Sequence, residues 1–238
     1  EVIVTGCASQ IEKNRFENLG NVSKIVDNKF KTNPNSYIGE NLVHKENFNF
    51  PSIDYLSTQR TRAMLQIQQG CNHRCTFCII PYGRGDAVSL TFTEISKRVK
   101  KILSSGITEI VLTGVDLTSY GEDLKGKPKL GSILKKLFKL FPNLPRLRLS
   151  SIDPAEIDRD LLDLFKYERR LMPYLHLSLQ SGDNLILKRM KRRHNREMVL
   201  NICNNLKSFR KDITFGADLI VGFPTETCLL YTSDAADE

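Results

Sequence analysis

From Ala63 onward the chain repeats one unit: a short β-like run, a turn, an amphipathic helix, then another β-like run. The strands are expected at 63–69, 108–114, 145–150, 174–179 and 213–221. Between them the helices carry their own start and stop signals. Thr91 and Glu94 form a capping-box pair, Ile95, Val99, Ile102 and Leu103 make one apolar stripe, and Gly106 ends the helix. Asp153 caps another helix, with Pro154 at its first position and Ile157, Leu161, Leu164 and Phe165 on the buried face. A further helix carries Ile133, Leu134, Leu137 and Phe138. Parallel strands joined by helices of this length cross over with the right hand. Five of them point to an α/β fold, a partial TIM-like (β/α) barrel that stops after its fifth strand.

Around this core the chain divides unevenly. Residues 1–50 hold a short apolar strand and then a polar stretch with little periodicity, which reads as the end of an amino-terminal α/β domain. Residues 51–60 read as a linker, 61–227 as the incomplete barrel, and 228–238 as a non-native tail that fits no helix following strand five. The chain begins without Met and inside a strand, so it reads as part of a longer protein. It has no apolar run of eighteen residues and no signal peptide, so no membrane association and a cytoplasmic location are expected. A net charge of +8 from 35 Lys and Arg favours polyanionic partners, although solubility alone would explain it equally well. Three of the six Cys crowd into eight residues, which speaks for a metal site in a reducing compartment rather than a disulfide framework.

In such barrels the chemistry sits in the loops leaving the carboxyl ends of the strands. Strand one runs into Cys71-Asn72-His73-Arg74-Cys75-Thr76-Phe77-Cys78, strand two into Gly114-Val115-Asp116, strand three into Ser150-Ser151, strand four into Gln180-Ser181-Gly182, and strand five into Gly222-Phe223-Pro224. The spacing C-x3-C-x2-C suits a 4Fe-4S cubane held by Cys71, Cys75 and Cys78, with one iron left open. S-adenosylmethionine (SAM) could chelate that iron through its amine and carboxylate. Zinc is the alternative. It would need a second ligand pair, which the loop lacks, or His73 from within the loop itself.

The cysteine loop, with Gly70 before it and Ile79-Ile80-Pro81-Tyr82-Gly83-Arg84-Gly85 after it, resembles the radical SAM signature of the tRNA methylthiotransferases. The likeness runs from about Val2 to about Thr227. It is greatest to the branch acting on threonylcarbamoyladenosine, through Leu112-Thr113-Gly114-Val115-Asp116-Leu117 and Leu175-His176-Leu177-Ser178-Leu179-Gln180-Ser181-Gly182. The resemblance implies that Cys7, in Val4-Thr5-Gly6-Cys7-Ala8, is one ligand of a second, auxiliary 4Fe-4S cluster whose other two Cys lie upstream. Without that resemblance Cys7 would be read as a buried thiol. It also implies SAM contacts from Gly114, Asp116, Ser150, Ser151, Gln180, Ser181, Gly222 and Glu226, and a grip on the SAM carboxylate by Arg192. Asp153 is explained equally well by ribose contact or by helix capping.

Lys188, Arg189, Lys191 and Arg193 make a basic run suited to tRNA phosphates, or simply a solvated face. Cys203, on a helix stripe with Val199, Ile202 and Leu206, reads as core, and Cys228 has no role. The implied activity is transfer of a methylthio group to C2 of a modified adenosine beside the tRNA anticodon, with tRNA and a reducing electron donor as partners. Three alternatives stay open: a methylthiotransferase acting on another tRNA adenosine or a ribosomal protein, an iron-sulfur electron carrier, and an RNA-binding module without iron.

Overall fold

The structure is a computed structural model that describes residues 2–38, 50–51 and 61–230. Most of the expected linker and residues 231–238 of the expected tail lie outside the described residues. Near the amino terminus, β1 (Val2–Thr5), α1 (Cys7–Ile11), α2 (Lys13–Glu17), β2 (Val22–Val26) and α3 (Asn35–Ile38) follow one another. β1 and β2 pair in parallel, with Val4 opposite Ile25 and Thr5 opposite Val26. The polar stretch after the first strand is therefore more regular than its weak periodicity suggested. Its helices run only four or five residues, too short to show a repeat.

The rest of the chain gives β3 (Arg62–Gln66), β4 (Gln68–Gln69), α4 (Ile80–Arg84), β5 (Val88–Ser89), α5 (Phe92–Ser104) and β6 (Glu109–Thr113). After these come α6 (Leu130–Leu140), β7 (Arg146–Leu149), α7 (Arg159–Tyr167), β8 (Tyr174–Gln180), α8 (Asn184–Arg189), α9 (Arg196–Phe209) and β9 (Thr214–Leu219). β3, β6 and β7 form a parallel sheet in which Leu65 faces Leu112 and Leu112 faces Leu149. β8 and β9 form a second parallel pair. Single bridges, Leu147 to Leu171 and Ile152 to Leu177, connect the two. The order is that of a partial β/α barrel.

Packing explains the order. Ile110, Val111 and Leu112 in β6 are all buried, as expected of a strand covered on both faces. Ile95, Val99 and Ile102 of α5, Ile133, Leu134, Leu137 and Phe138 of α6, and Leu161, Leu164 and Phe165 of α7 close over the sheet. Each such side chain contributes about 1.5–3 kcal/mol relative to exposure. At the amino ends of the strands the buried Glu109 carboxylate meets Arg62, Arg146 and Arg148 at 3.0, 3.4 and 2.8 Å, tying three neighbouring strands together. Burial works against that charge, but the arginines, Arg148 foremost, hold the carboxyl below its ordinary range.

Several boundaries differ from the sequence expectation. The first strand breaks at Ile67, because β4 turns away to pair antiparallel with β5. The helix expected from Asp153 is two elements. Asp153 accepts from Ala155 N at the head of a 3-10 turn, Pro154–Glu156, and Asp158 then caps α7 by accepting from Leu161 N. Thr91 does cap α5, but Glu94 completes only half of the box, since its carboxylate binds Lys97. Cys203 packs against the core as expected, and burial pushes its thiol up. Residues 228–230 have helical backbone, with Leu230 N bonded to Thr227 O, where no helix was expected.

Candidate metal and SAM centre

The cysteine loop owes its path to the residues that flank it. Gly70 has φ +71°, and a Cβ there would stand 2.0 Å from Asp86 O, so no other residue fits. That close approach lets Cys71 N bond Gly85 O at 3.1 Å, while Asn72 Oδ1 accepts from Ala87 N at 2.9 Å. Gln68, fully buried at the start of β4, accepts from Asp116 N at 2.9 Å and donates to Gly70 O at 2.8 Å. It locks the loop after β6 to the loop after β3. A Cβ on Gly114 would press on the same Gln68 side chain at 2.9 Å. The sequence signal for this lock was the run Gln66-Ile67-Gln68-Gln69, polar where a barrel strand should be apolar.

Between these loops lies a cavity of about 170 Å³ lined by Cys71, Cys75, Cys78, Asp116, Ser151, Gln180 and Arg192, together with His73, Asp153 and Ser178. Residues separated by more than a hundred positions thus meet at the carboxyl ends of the strands, as the strand order required. Arg192 donates to Asp153 at 2.9 Å and to Ser178 O at 2.7 Å, and its Nη1 lies 3.7 Å from Cys75 Sγ. Ser151 Oγ bonds both Ser178 Oγ (2.7 Å) and His176 Nδ1 (3.1 Å). Gln180 has φ +73°, a left-handed backbone unusual for its type.

Other expected site residues lie elsewhere. Ser150 Oγ is buried without a protein partner, and Ser181 is enclosed, its hydroxyl accepting from Asp183 N. Glu226 folds back to accept from the N–H groups of Gly222 (2.6 Å) and Phe223 (3.0 Å), forming a closed turn outside the cavity lining. Arg193 is engaged by Glu156 and Asp153, and Arg189 donates to Thr225 O. Lys188 and Lys191 are exposed. Cys7 sits against α4, where a Cβ on Gly83 would touch it at 2.9 Å, and Asn28 donates to its Sγ at 3.6 Å.

A polar network absent from the sequence expectations completes the site. His73 Nε2 lies 2.9 Å from Asp116 and 3.7 Å from Glu156, and Ser119 Oγ donates to Asp116 at 2.6 Å. Hydrogen bonds from its ring N–H to the carboxylates of Asp116 and then Glu156 raise His73 to about 9, which favours the cationic imidazole at neutral pH. Burial opposes ionisation of Asp153, yet His194, Arg192 and Arg193 hold its carboxyl well below the ordinary range. Asp116, Asp153, Arg192 and Arg193 were expected near the site for other contacts and His73 was considered as a zinc ligand, whereas Ser119, Glu156 and His194 carried no signal in the sequence.

The donor set fits a polynuclear cation. Burial pushes the Cys71 thiol up to about 12, and the charges of Asp116, Cys75 and Cys78 add to it. Such a thiol keeps its proton unless positive charge stands beside it, and a cluster held by Cys71, Cys75 and Cys78 would supply that charge. Cys71, His73 and Asp116 also bring donor atoms within 4.8 Å of one another, so a single ion on that trio is the competing occupant.

The radical SAM superfamily model matches residues 65–227. This chain belongs to the radical SAM superfamily. That family uses a 4Fe-4S cluster and SAM. The threonylcarbamoyladenosine tRNA methylthiotransferase of Rickettsia prowazekii is 44% identical over 233 residues, covering 95% of this chain and 55% of that protein. Its counterpart in Aquifex aeolicus is 37% identical over 239 residues, 95% of this chain and 57% of that protein. The tRNA-2-methylthio-N(6)-dimethylallyladenosine synthase of Ehrlichia canis is 35% identical over 240 residues, 95% and 54%. The chain thus spans about half the length of the curated relatives it matches. Among solved structures, the radical SAM methyltransferase TsrM from Kitasatospora setae superposes with a TM-score of 0.57 at 14% identity. It covers 71% of this chain and 32% of that one, a likeness of fold alone.

Proposed function

We propose that the chain is the SAM-cleaving part of a methylthiotransferase that modifies C2 of threonylcarbamoyladenosine in tRNA. One observation carries the reading: the three thiols of the signature loop share a cavity with Asp116, Ser151, Gln180 and Arg192, in a chain similar along 95% of its length to enzymes of that name. Cys71, Cys75 and Cys78 would hold the cluster. Bound there with SAM, it supplies one-electron chemistry able to remove a hydrogen atom from an unactivated C–H bond.

The protein contributes orientation and charge. The Arg192 guanidinium, already fixed by Asp153 and Ser178 O, is placed to grip the SAM carboxylate with parallel hydrogen bonds. Asp116 and the backbone beside Gly114 would receive the methionyl amine, and Ser151 and Gln180 the ribose. Ser150, Ser181, Gly222 and Glu226 would shape the rim. Cys7 would give one ligand to the auxiliary cluster, against the helix that follows the cysteine loop. Lys188, Arg189, Lys191 and Arg193 would meet tRNA phosphates.

Identity of 35% with synthases named for a different adenosine keeps the target nucleotide a matter for assay. The full-length protein should be given tRNA carrying threonylcarbamoyladenosine, tRNA carrying dimethylallyladenosine, and ribosomal protein, each with SAM and a low-potential reductant. Methylthiolation of the first substrate alone is expected. Modification confined to either of the others would refute the assignment.

A further inference from the structure

Residues 70–79 form no helix or strand, so a few anchors set where the three thiols stand. At its start the loop hangs on Gly85 and Ala87. At its far end it hangs on a segment more than a hundred residues away: Thr76 N donates to Met190 O at 3.2 Å, and Thr76 Oγ1 donates to Arg189 O at 3.0 Å. Those carbonyls belong to the last residue of α8 and to its C-cap, where the helix has no donors left for them. Thr76 thus caps a helix from across the barrel mouth.

That helix end is unusual in its own right. Arg192 N bonds Leu187 O at 2.9 Å and Lys191 N bonds Lys188 O at 3.1 Å, the two bonds of a Schellman end. Its left-handed position, which favours glycine, is filled by Lys191 at φ +57°. The turn thereby shows Lys188 and Lys191 to solvent. With the next residue it turns Arg192 inward, to within 3.7 Å of Cys75 Sγ. A second link runs from Arg193 through Glu156 to His73 in the middle of the cysteine loop. The solvent-facing cations and the thiols are therefore two sides of one hydrogen-bonded unit.

We propose that Thr76 couples the cationic α8–α9 turn to the cysteine loop, so that RNA on the turn and the cluster in the loop each tighten the other's binding. The inference rests on the reading of Lys188 and Lys191 as phosphate contacts. A metal in the loop fixes Thr76, Thr76 fixes the carbonyls of residues 189 and 190, and the turn then meets phosphate with less ordering left to do. By linkage the same factor must act in the other direction. Thr76 is a positioning residue and touches neither reactant.

The test is affinity for an unmodified anticodon stem-loop RNA, measured anaerobically on the metal-free chain and on the chain reconstituted with iron and sulfide. Reconstitution should tighten binding about fivefold or more, within the range usual for coupled sites. Thr76→Val removes the hydroxyl donor and should shrink that factor below about twofold, leaving the metal-free affinity unchanged. Thr76→Ser keeps the hydroxyl and should restore the factor, which distinguishes coupling from loss of fold. Equal affinity of the two wild-type forms, or coupling that survives in Thr76→Val, would overturn the inference while leaving the RNA reading standing. Binding that is absent or insensitive to salt in both forms would sink the RNA reading and this inference with it.

Discussion

The two halves of the barrel are built to different standards. In β6 the residues Glu109, Ile110, Val111 and Leu112 are all buried, and the strand pairs along its length with β3 and β7. In β9 the residues Ala217, Asp218 and Leu219 are exposed, and β8 is its one paired strand among the described residues. The cysteine loop and Asp116 stand on the first half, while Gly222 and Glu226 stand on the second. Asp116 follows a strand fixed from both sides, the cysteine loop follows β3, which pairs with β6 and is tied to the Asp116 loop through Gln68, and the exposed strand β9 leads only to the rim. Ser178, Gln180 and Arg192 also come from the second half and line the cavity. Arg192 reaches the first half through Asp153 and is held from its own half by Ser178 O.

The sharpest break between the halves should appear in metal content. Replacing Cys71, Cys75 and Cys78 together by Ala is expected to lower iron from about four per chain after anaerobic reconstitution to almost none. The melting transition should persist, because none of the three side chains belongs to the buried core. A single ion bound by Cys71, His73 and Asp116 would instead survive a Cys75→Ala, Cys78→Ala double variant, and elemental analysis would show it.

Next in size is packing. Leu112→Ala, in β6 and fully buried, should cost about 2–5 kcal/mol in denaturant unfolding. Leu219→Ala, in β9 and 45% exposed, should stay within about 0.5 kcal/mol. Similar costs at the two positions would erase the contrast between the halves.

A smaller effect comes from the network joining the halves, measured as the pH dependence of stability of the metal-free protein. Burial disfavours the Glu156 carboxylate, but His73 and Arg193 lower it from 4.5 to about 2, so its contribution is present above 4.5 and lost as pH falls toward 2. His73 is raised from 6.5 to about 9, so its contribution is full below 6.5 and lost as pH rises through about 9. Stability should plateau between about 4.5 and 6.5 and fall on both sides. Glu156→Gln should flatten the acid limb, and an unaltered limb would show that the network does not hold at that residue. Smallest of all, Lys191→Ala should reduce the slope of log affinity for RNA against log salt by about one, and no change would remove Lys191 from the phosphate contacts.

How much of this was legible in the sequence follows the same division. The strands and the stripes of α5, α6 and α7 were readable because burial on a covered barrel writes a strong period into Ile, Leu and Val. The cysteine loop was readable from spacing alone. The three short amino-terminal helices were not, because Cys7–Ile11, Lys13–Glu17 and Asn35–Ile38 each span less than two turns, too few for a periodic stripe to show. Gln68, Ser119 and Glu156 were missed for a different reason, and His73 was read only as a possible zinc ligand. Their roles depend on contacts between 37 and 83 residues apart, and no local pattern announces such a partner. Asp153 was seen as a cap and is one, but its grip on Arg192 and Arg193 emerges only when the α8–α9 turn is brought across the mouth.

The central claim is that the three thiols hold a cluster with an iron open to SAM. The most direct measurement is the electron paramagnetic resonance spectrum of the reduced, reconstituted chain before and after SAM is added. A 4Fe-4S signal whose g-values shift on addition of SAM, and fail to shift in Arg192→Ala, is the expected result. A cluster signal indifferent to SAM would contradict the claim and leave an electron carrier in its place.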